Sequence, residues 1–180
     1  MQKIIIVLAI IVAVGAGVYF FMGDRIGSEV TSTPGQNTGT TNETPDTLVV
    51  QIPLIALEDN GASGKKIGCN DSVVMVDRTI PYTTGTLRGA LEVLLSLQGT
   101  AYGQSGLYNA VGTSDLELAD VTIEGGTAII ELEGQLVLQG ACDAPRVAAQ
   151  LEEAALQFDT VDDTEITING EPLADALSSQ

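Results

Sequence analysis

Apolar residues crowd the start of the chain, give way to a polar stretch, and return in short periodic groups. From Ile4 to Met22 the sequence IIIVLAIIVAVGAGVYFFM is almost unbroken apolar. Nineteen helical residues would span about 28 Å, close to the hydrocarbon thickness of a bilayer. Tyr19, Phe20 and Phe21 cluster at its end, where an interfacial aromatic belt lies. Lys3 precedes the run, while Asp24 and Arg25 follow it and cancel. The positive-inside rule therefore puts residues 1–3 in the cytoplasm and the rest outside. Small residues Ala13, Gly15, Ala16 and Gly17 also suit a cleaved signal peptide. The length of the run favours an uncleaved transmembrane signal-anchor over that alternative.

Residues 23–46, GDRIGSEVTSTPGQNTGTTNETPD, carry no apolar period. Such a segment buries too little surface to offset its ordering entropy, so it is expected to be a disordered linker. Its mean reach would be about 25–30 Å.

From residue 47 the periods of 3.6 and 2 begin. Leu87, Ala90, Leu91, Leu94 and Leu95 share one helical face, with Arg88, Glu92 and Ser96 between them. Thr86 is the expected cap and Gly99 the expected stop. A second helix opens at Asp143 with Pro145 in its first turn. Val147, Ala148, Leu151, Ala155 and Phe158 form its apolar stripe, and Gln150, Glu152, Glu153 and Gln157 are assigned to water. Strands are expected over Leu48 to Leu57, with Pro53 marking an edge or a break, and over Ser72 to Arg78. Asp120 to Glu124 and Thr127 to Glu133 flank Gly125-Gly126 as a hairpin. Gln135 to Gln139 is a further short strand. Thr164 to Ile168 runs into the tight-turn pair Asn169-Gly170. The order predicts an α+β domain over 47–180, with an antiparallel or mixed sheet and two helices packed on one face.

Composition narrows the chemistry. The chain has 7 Lys+Arg, 24 Asp+Glu, no His and 2 Cys, for a formal charge of −17. Without His there is no Ser-His-Asp or Cys-His catalysis and no His-containing zinc site. Two cysteines cannot build a Cys-rich zinc or iron–sulfur site. The negative balance opposes nucleic acid. No cofactor, resident metal or catalytic residue is assigned. Residues 47–180 hold 20 acids and 5 bases, and from residue 101 onward 15 acids face one base, Arg146.

Three stretches together resemble a GerMN domain, the module of GerM-type sporulation and germination proteins. LRGALEVLL at 87–95 is similar to the family's first helix, VTIEGGTAIIELEG at 121–134 to its central hairpin, and VAAQLEEAALQFDTVDDTEITINGEPL at 147–173 to its last helix and final strand. The resemblance implies an envelope location and brings no catalytic residues. The transmembrane anchor departs from the lipoprotein signal of many members. SLQGTAYGQSGLYNA, after the first helix, lacks the Gly-Pro commonly found there.

Cys69 and Cys142 form the sharpest candidate pair. Outside the membrane, an even cysteine count reads as a disulfide; two unrelated buried thiols are the alternative. Gly103-Gln104-Ser105-Gly106 lacks the nucleophile-elbow spacing and any His to activate Ser105. Tyr102, Tyr108 and Asn109 on the same loop are the first place to look for a binding surface, unless the tyrosines cover the sheet or core. Asp159, Asp162, Asp163 and Glu165 read as a solvated loop rather than a calcium site. Glu131, Glu133, Glu152 and Glu153 read as solvated faces, although a pair of carboxylates could in principle hydrolyse sugars. The expected function is a non-catalytic binding or scaffolding module displayed outside the cell membrane. Its partner is an envelope protein, peptidoglycan or a second copy; the alternative is a cell-wall polysaccharide hydrolase.

Overall fold

The computed structural model describes residues 46–179. The segments expected as a cytoplasmic terminus (1–3), a membrane anchor (4–22) and, except for Asp46, a linker (23–46) lie outside the described residues. Among the described residues, no helix is long and apolar enough to cross a membrane.

The chain begins with β1 (Thr47–Ala56), which pairs antiparallel with β3 (Ser72–Pro81); β2 (Lys65–Lys66) pairs with the other side of β3. Helix α1 (Thr86–Ser96) follows. The hairpin of β4 (Asp115–Glu124) and β5 (Thr127–Gln135) comes next. Helix α2 (Asp143–Leu156) then carries the chain across to β6 (Asp163–Ile168), parallel to β5. The short β7 (Glu171–Pro172) and helix α3 (Leu173–Ser178) close the domain. The strand orders are β1-β3-β2 and β4-β5-β6-β7.

Among the described residues there are thus two sheets and three α-helices, where one sheet and two helices were expected. The first sheet stops at β1 because the outward backbone groups of that strand are already taken. Gln51 N–H donates to Gln157 Oε1 at 2.9 Å, and Gln157 Nε2 returns a bond to Gln51 O at 2.8 Å. Pro53 O accepts from Gln150 Nε2 at 2.7 Å. Ile55 exchanges backbone bonds of 2.8 and 2.7 Å with Tyr108. Pro53 lies two residues from Ile55, so its missing N–H falls on this same outward side, where no ladder bond is lost. The strand runs unbroken through Pro53, and the proline marks an edge. On the second sheet, Ala119 bulges out of register in edge strand β4, which blunts that edge too.

Helices α1 and α2 touch each other and β1; α1 also reaches β4 and α2 reaches β6. One core results. Ile52 and Leu54 of β1, Leu91 and Leu94 of α1, Ile130 and Leu132 of β5 and Leu151 of α2 are all at most 1% exposed. Each such side chain contributes about 2 kcal/mol. The third helix adds Leu173 and Ala176.

Local signals behave unevenly. Gly125 and Gly126 take φ of 58° and 92°, and Asn169 and Gly170 take 53° and 80°, so both pairs make the left-handed turns that close hairpins. Thr86 is the first helical residue rather than the cap of α1. Gly85 holds the cap position and offers no side chain, although its carbonyl accepts from Gly89 N–H at 3.0 Å. Helix α1 ends before Gly99, with Leu97 already extended. The strand expected over Gln135 to Gln139 is not formed. After Gln135 the chain leaves the ladder, because Val137 N–H bonds to Ser114 Oγ and Gln139 N–H to Asp143 Oδ2.

Candidate functional site

Most of the chemistry-bearing side chains meet where the N-terminus of α2 abuts the 68–71 turn and the 101–109 loop. Cys69 and Cys142 form a disulfide across a sequence separation of 73, with Cα atoms 5.9 Å apart. Cys69 lies in a short helical turn with φ of 60°, and Cys142 occupies the cap position of α2.

Next to the disulfide sits an ionic clamp. Arg146 Nε donates to Asp71 Oδ2 at 2.6 Å and its Nη1 to Asp143 Oδ1 at 3.1 Å. Asp71 is fully buried and Asp143 is 2% exposed. Glu58 N–H satisfies the other oxygen of Asp71, and Gln139 N–H a second site on Asp143. The Arg146 guanidinium also stacks 5.2 Å from the Tyr108 ring centroid. Burial alone would lower its pKa; the bonds to Asp71 and Asp143 outweigh that and raise it. Tyr108 Oη donates to Asp143 at 3.1 Å. Burial pushes the Tyr108 phenol up, reinforced by the bond to the Asp143 carboxylate. The lone base of the acidic half of the chain is therefore committed to two carboxylates.

A second polar junction lies one helical turn further along α2. Gln150, assigned to water from its local pattern, is fully buried. Its Nε2 bonds to Pro53 O and to Asn109 Oδ1, and its Oε1 accepts from Ala110 N–H at 2.7 Å. Val147, Gln150, Leu151 and Ala154 occupy one stripe, so the helix points the amide into the core. Asn109 is itself 1% exposed and donates to Leu97 O at 2.9 Å.

These placements divide the loop residues expected at a binding surface. Tyr108 and Asn109 come together, but their polar atoms face inward, and Asn109 is not presented at the surface. Tyr102 is half-buried, with Arg78 Nη1 donating to its Oη at 3.4 Å. Ser105 bonds to Tyr102 O and Leu107 N–H, so its hydroxyl shapes the 101–108 turn.

The remaining carboxylates face outward. Along the outer face of the second sheet Glu117 stands opposite Glu133 and Asp120 opposite Glu131, with Glu165 and Asp163 on β6 beside them. Among the described residues, Asp120 alone of these pairs with a base, Arg88, at 2.9 Å. Among the described residues, no group of three or more His, Cys, Asp or Glu is arranged to hold a metal ion. Glu153 is paired with Lys65. Glu152 is half-buried and its pKa is raised, first by burial and then by Glu153 and Asp163, against an opposing pull from Lys65. A groove of 410 Å³ lies beside the start of α1, lined by Thr84, Thr86, Arg88, Val121, Ile123 and Thr160.

Fold and site together define a small α+β module whose buried polar groups serve to join its elements. The chain belongs to the Germane family, the sporulation and spore germination family of GerMN domains, whose model matches residues 59–174. The match starts after β1 and ends within α3. Two solved structures are similar in fold. The first GerMN domain of the sporulation protein GerM from Bacillus subtilis is 22% identical, with a TM-score of 0.51 over 69% of this chain and 85% of that one. The tandem GerMN domains of the same protein give 22% identity and a TM-score of 0.51 over 70% of this chain and 40% of that one. No curated protein matches the chain.

Proposed function

We propose that this GerMN module is non-catalytic and is displayed on the outer side of the cell membrane, where it binds another envelope protein. The observation that carries the location is the Cys69–Cys142 bond. A disulfide closing so long a loop belongs to an oxidising compartment. The apolar run over 4–22 supplies the anchor and residues 23–46 the spacer. The binding role draws support from the way polar groups are used. Arg146, Asp71, Asp143, Gln150 and Asn109 hold elements together, while the carboxylates along the outer face of the second sheet, apart from Asp120, are left for a partner.

The test uses the full chain in its host cells. A membrane-impermeant protease added to spheroplasts should degrade the domain, and deleting residues 4–22 should release it from the membrane fraction. Chemical cross-linking in intact cells should then join the wild-type chain to a discrete envelope protein. Protection of the domain from the protease would exclude the location. Cross-linking that yields the chain alone would exclude the binding role.

A further inference from the structure

We infer that the Cys69–Cys142 disulfide is a site of thiol–disulfide exchange, at which a dithiol oxidoreductase attacks Cys69 and displaces Cys142. This goes beyond the proposed display role, because it gives the bond a reaction partner of its own.

Four observations point the same way. The two halves of the bond are unequally accessible: Cys69 is exposed, with exposed Gly68 and Asn70 on either side, whereas Cys142 is half-buried. An incoming thiolate therefore meets the Cys69 sulfur first. Secondly, Cys142 caps a helix of 14 residues and makes no side-chain cap bond. The dipole of that first turn favours a thiolate there, and the better-stabilised thiolate is the better leaving group. The neighbouring Asp143 carboxylate would oppose this, but it is turned onto Arg146 and Tyr108. Thirdly, exposed Lys66, bonded to the Asn60 amide rather than to a carboxylate, lies three residues before Cys69 on an otherwise acidic domain. Its charge favours an anionic nucleophile on that side. Lastly, the Asp71–Arg146–Asp143 clamp joins the same two segments two residues after Cys69 and one after Cys142. Opening the disulfide leaves them docked, so exchange is reversible.

The reaction balances. The partner's thiolate bonds to Cys69 Sγ, the S–S bond breaks, and its electron pair leaves on Cys142 Sγ. The partner's second thiol then attacks its own mixed-disulfide sulfur and releases Cys69. The partner dithiol becomes a disulfide, and the domain gains two electrons and two protons as two thiols.

The experiment treats oxidised full-length protein with 2-mercaptoethanol in native buffer, quenches with acid, and maps mixed disulfides by mass spectrometry. Adducts on Cys69 should exceed those on Cys142 about tenfold, at a rate within about tenfold of that in denaturant. Equal adducts, an excess on Cys142, or no exchange until denaturant is added would overturn the inference. Single variants give a second readout. The Cys142 thiol in Cys69→Ser should be alkylated with a lower pH midpoint than the Cys69 thiol in Cys142→Ser, and the reverse order counts against the mechanism. Should either variant fail to fold, the wild-type adduct map still decides.

Discussion

Gln150 reaches 97 positions back along the chain to donate its amide to the carbonyl of Pro53 at 2.7 Å. This bond finishes the edge of β1 at its proline, and the same side chain holds Asn109 and Ala110. Replacing Gln150 with Leu strands the Pro53 carbonyl, the Asn109 oxygen and the Ala110 N–H in a dry interior. The expected loss is about 3 kcal/mol in urea unfolding, at the upper end for a single substitution because several groups lose their partner together. Gln157→Leu makes the comparison. It removes equivalent bonds from the exposed Gln51, where water replaces them, so its cost should be below about 1 kcal/mol.

Arg146→Met tests the ionic clamp. It leaves Asp71 and Asp143, 0% and 2% exposed, without their cation. Breaking such a buried group by removing one partner costs about 3–5 kcal/mol. Arg146→Lys should recover only part of this, because an ammonium lacks the planar fork that reaches both carboxylates. Thermal unfolding of the oxidised proteins, with the disulfide intact in all three, gives the order wild type, then Lys, then Met.

Removing the disulfide acts differently. Cys69→Ala/Cys142→Ala should lower stability by about 4 kcal/mol, largely by freeing a 73-residue loop in the unfolded chain. The native contacts of the clamp should survive, so near-ultraviolet dichroism from Tyr108 is expected to stay as in the wild type. Loss of that signal in the double variant would show that the clamp cannot hold the segments alone.

What the sequence makes legible follows the range over which each signal acts. The spacing of Leu87, Leu91 and Leu94 and the Gly125-Gly126 pair are local signals, and α1 and the central hairpin form where they indicate. The division into two sheets is not local. It depends on Gln150, Gln157 and Tyr108 closing the edge of β1 from distant positions. Gln150 looks polar and solvent-facing when its residue type is read alone. Its position three residues after Val147 and four before Ala154, inside the apolar stripe, is the signal that places it inward. Arg146 as the lone base beside the 15 acids from residue 101 onward marks an unusual residue, but only the fold reveals Asp71 as its partner. The Cys69–Cys142 pairing was legible because two cysteines permit a single intramolecular bond. Tyr102 and Tyr108 were legible as loop residues, while their hydrogen-bond partners were not.

The outer face of the second sheet should be held under electrostatic strain. Glu117 and Glu133 are direct cross-strand neighbours and both are exposed. Like charges so placed destabilise a pair, and opposite charges stabilise it by a similar amount. Glu133→Lys should therefore raise stability by about 0.5 kcal/mol at low salt. In 1 M sodium chloride, where screening acts within about 3 Å, most of that gain should vanish. A gain unchanged by salt would assign the effect to packing instead.

Tyr108 sets the alkaline limit that the clamp imposes on the fold. Its phenol is raised in the native state by burial and by the Asp143 bond, relative to an ordinary tyrosine near 10.0 in the unfolded chain. The native state therefore holds that proton more tightly. Its stabilising contribution is complete below the unfolded value and is lost as pH rises through the native one. Stability should fall from about pH 10 upward, and the part of that fall due to Tyr108 should be missing in Tyr108→Phe. Subtracting the 295 nm titration of Tyr108→Phe from that of the wild type isolates one phenol. Its midpoint should lie above the ordinary tyrosine value in the native protein and return to that value in denaturant. A native midpoint at or below it would mean that Tyr108 is not buried against Asp143 in solution.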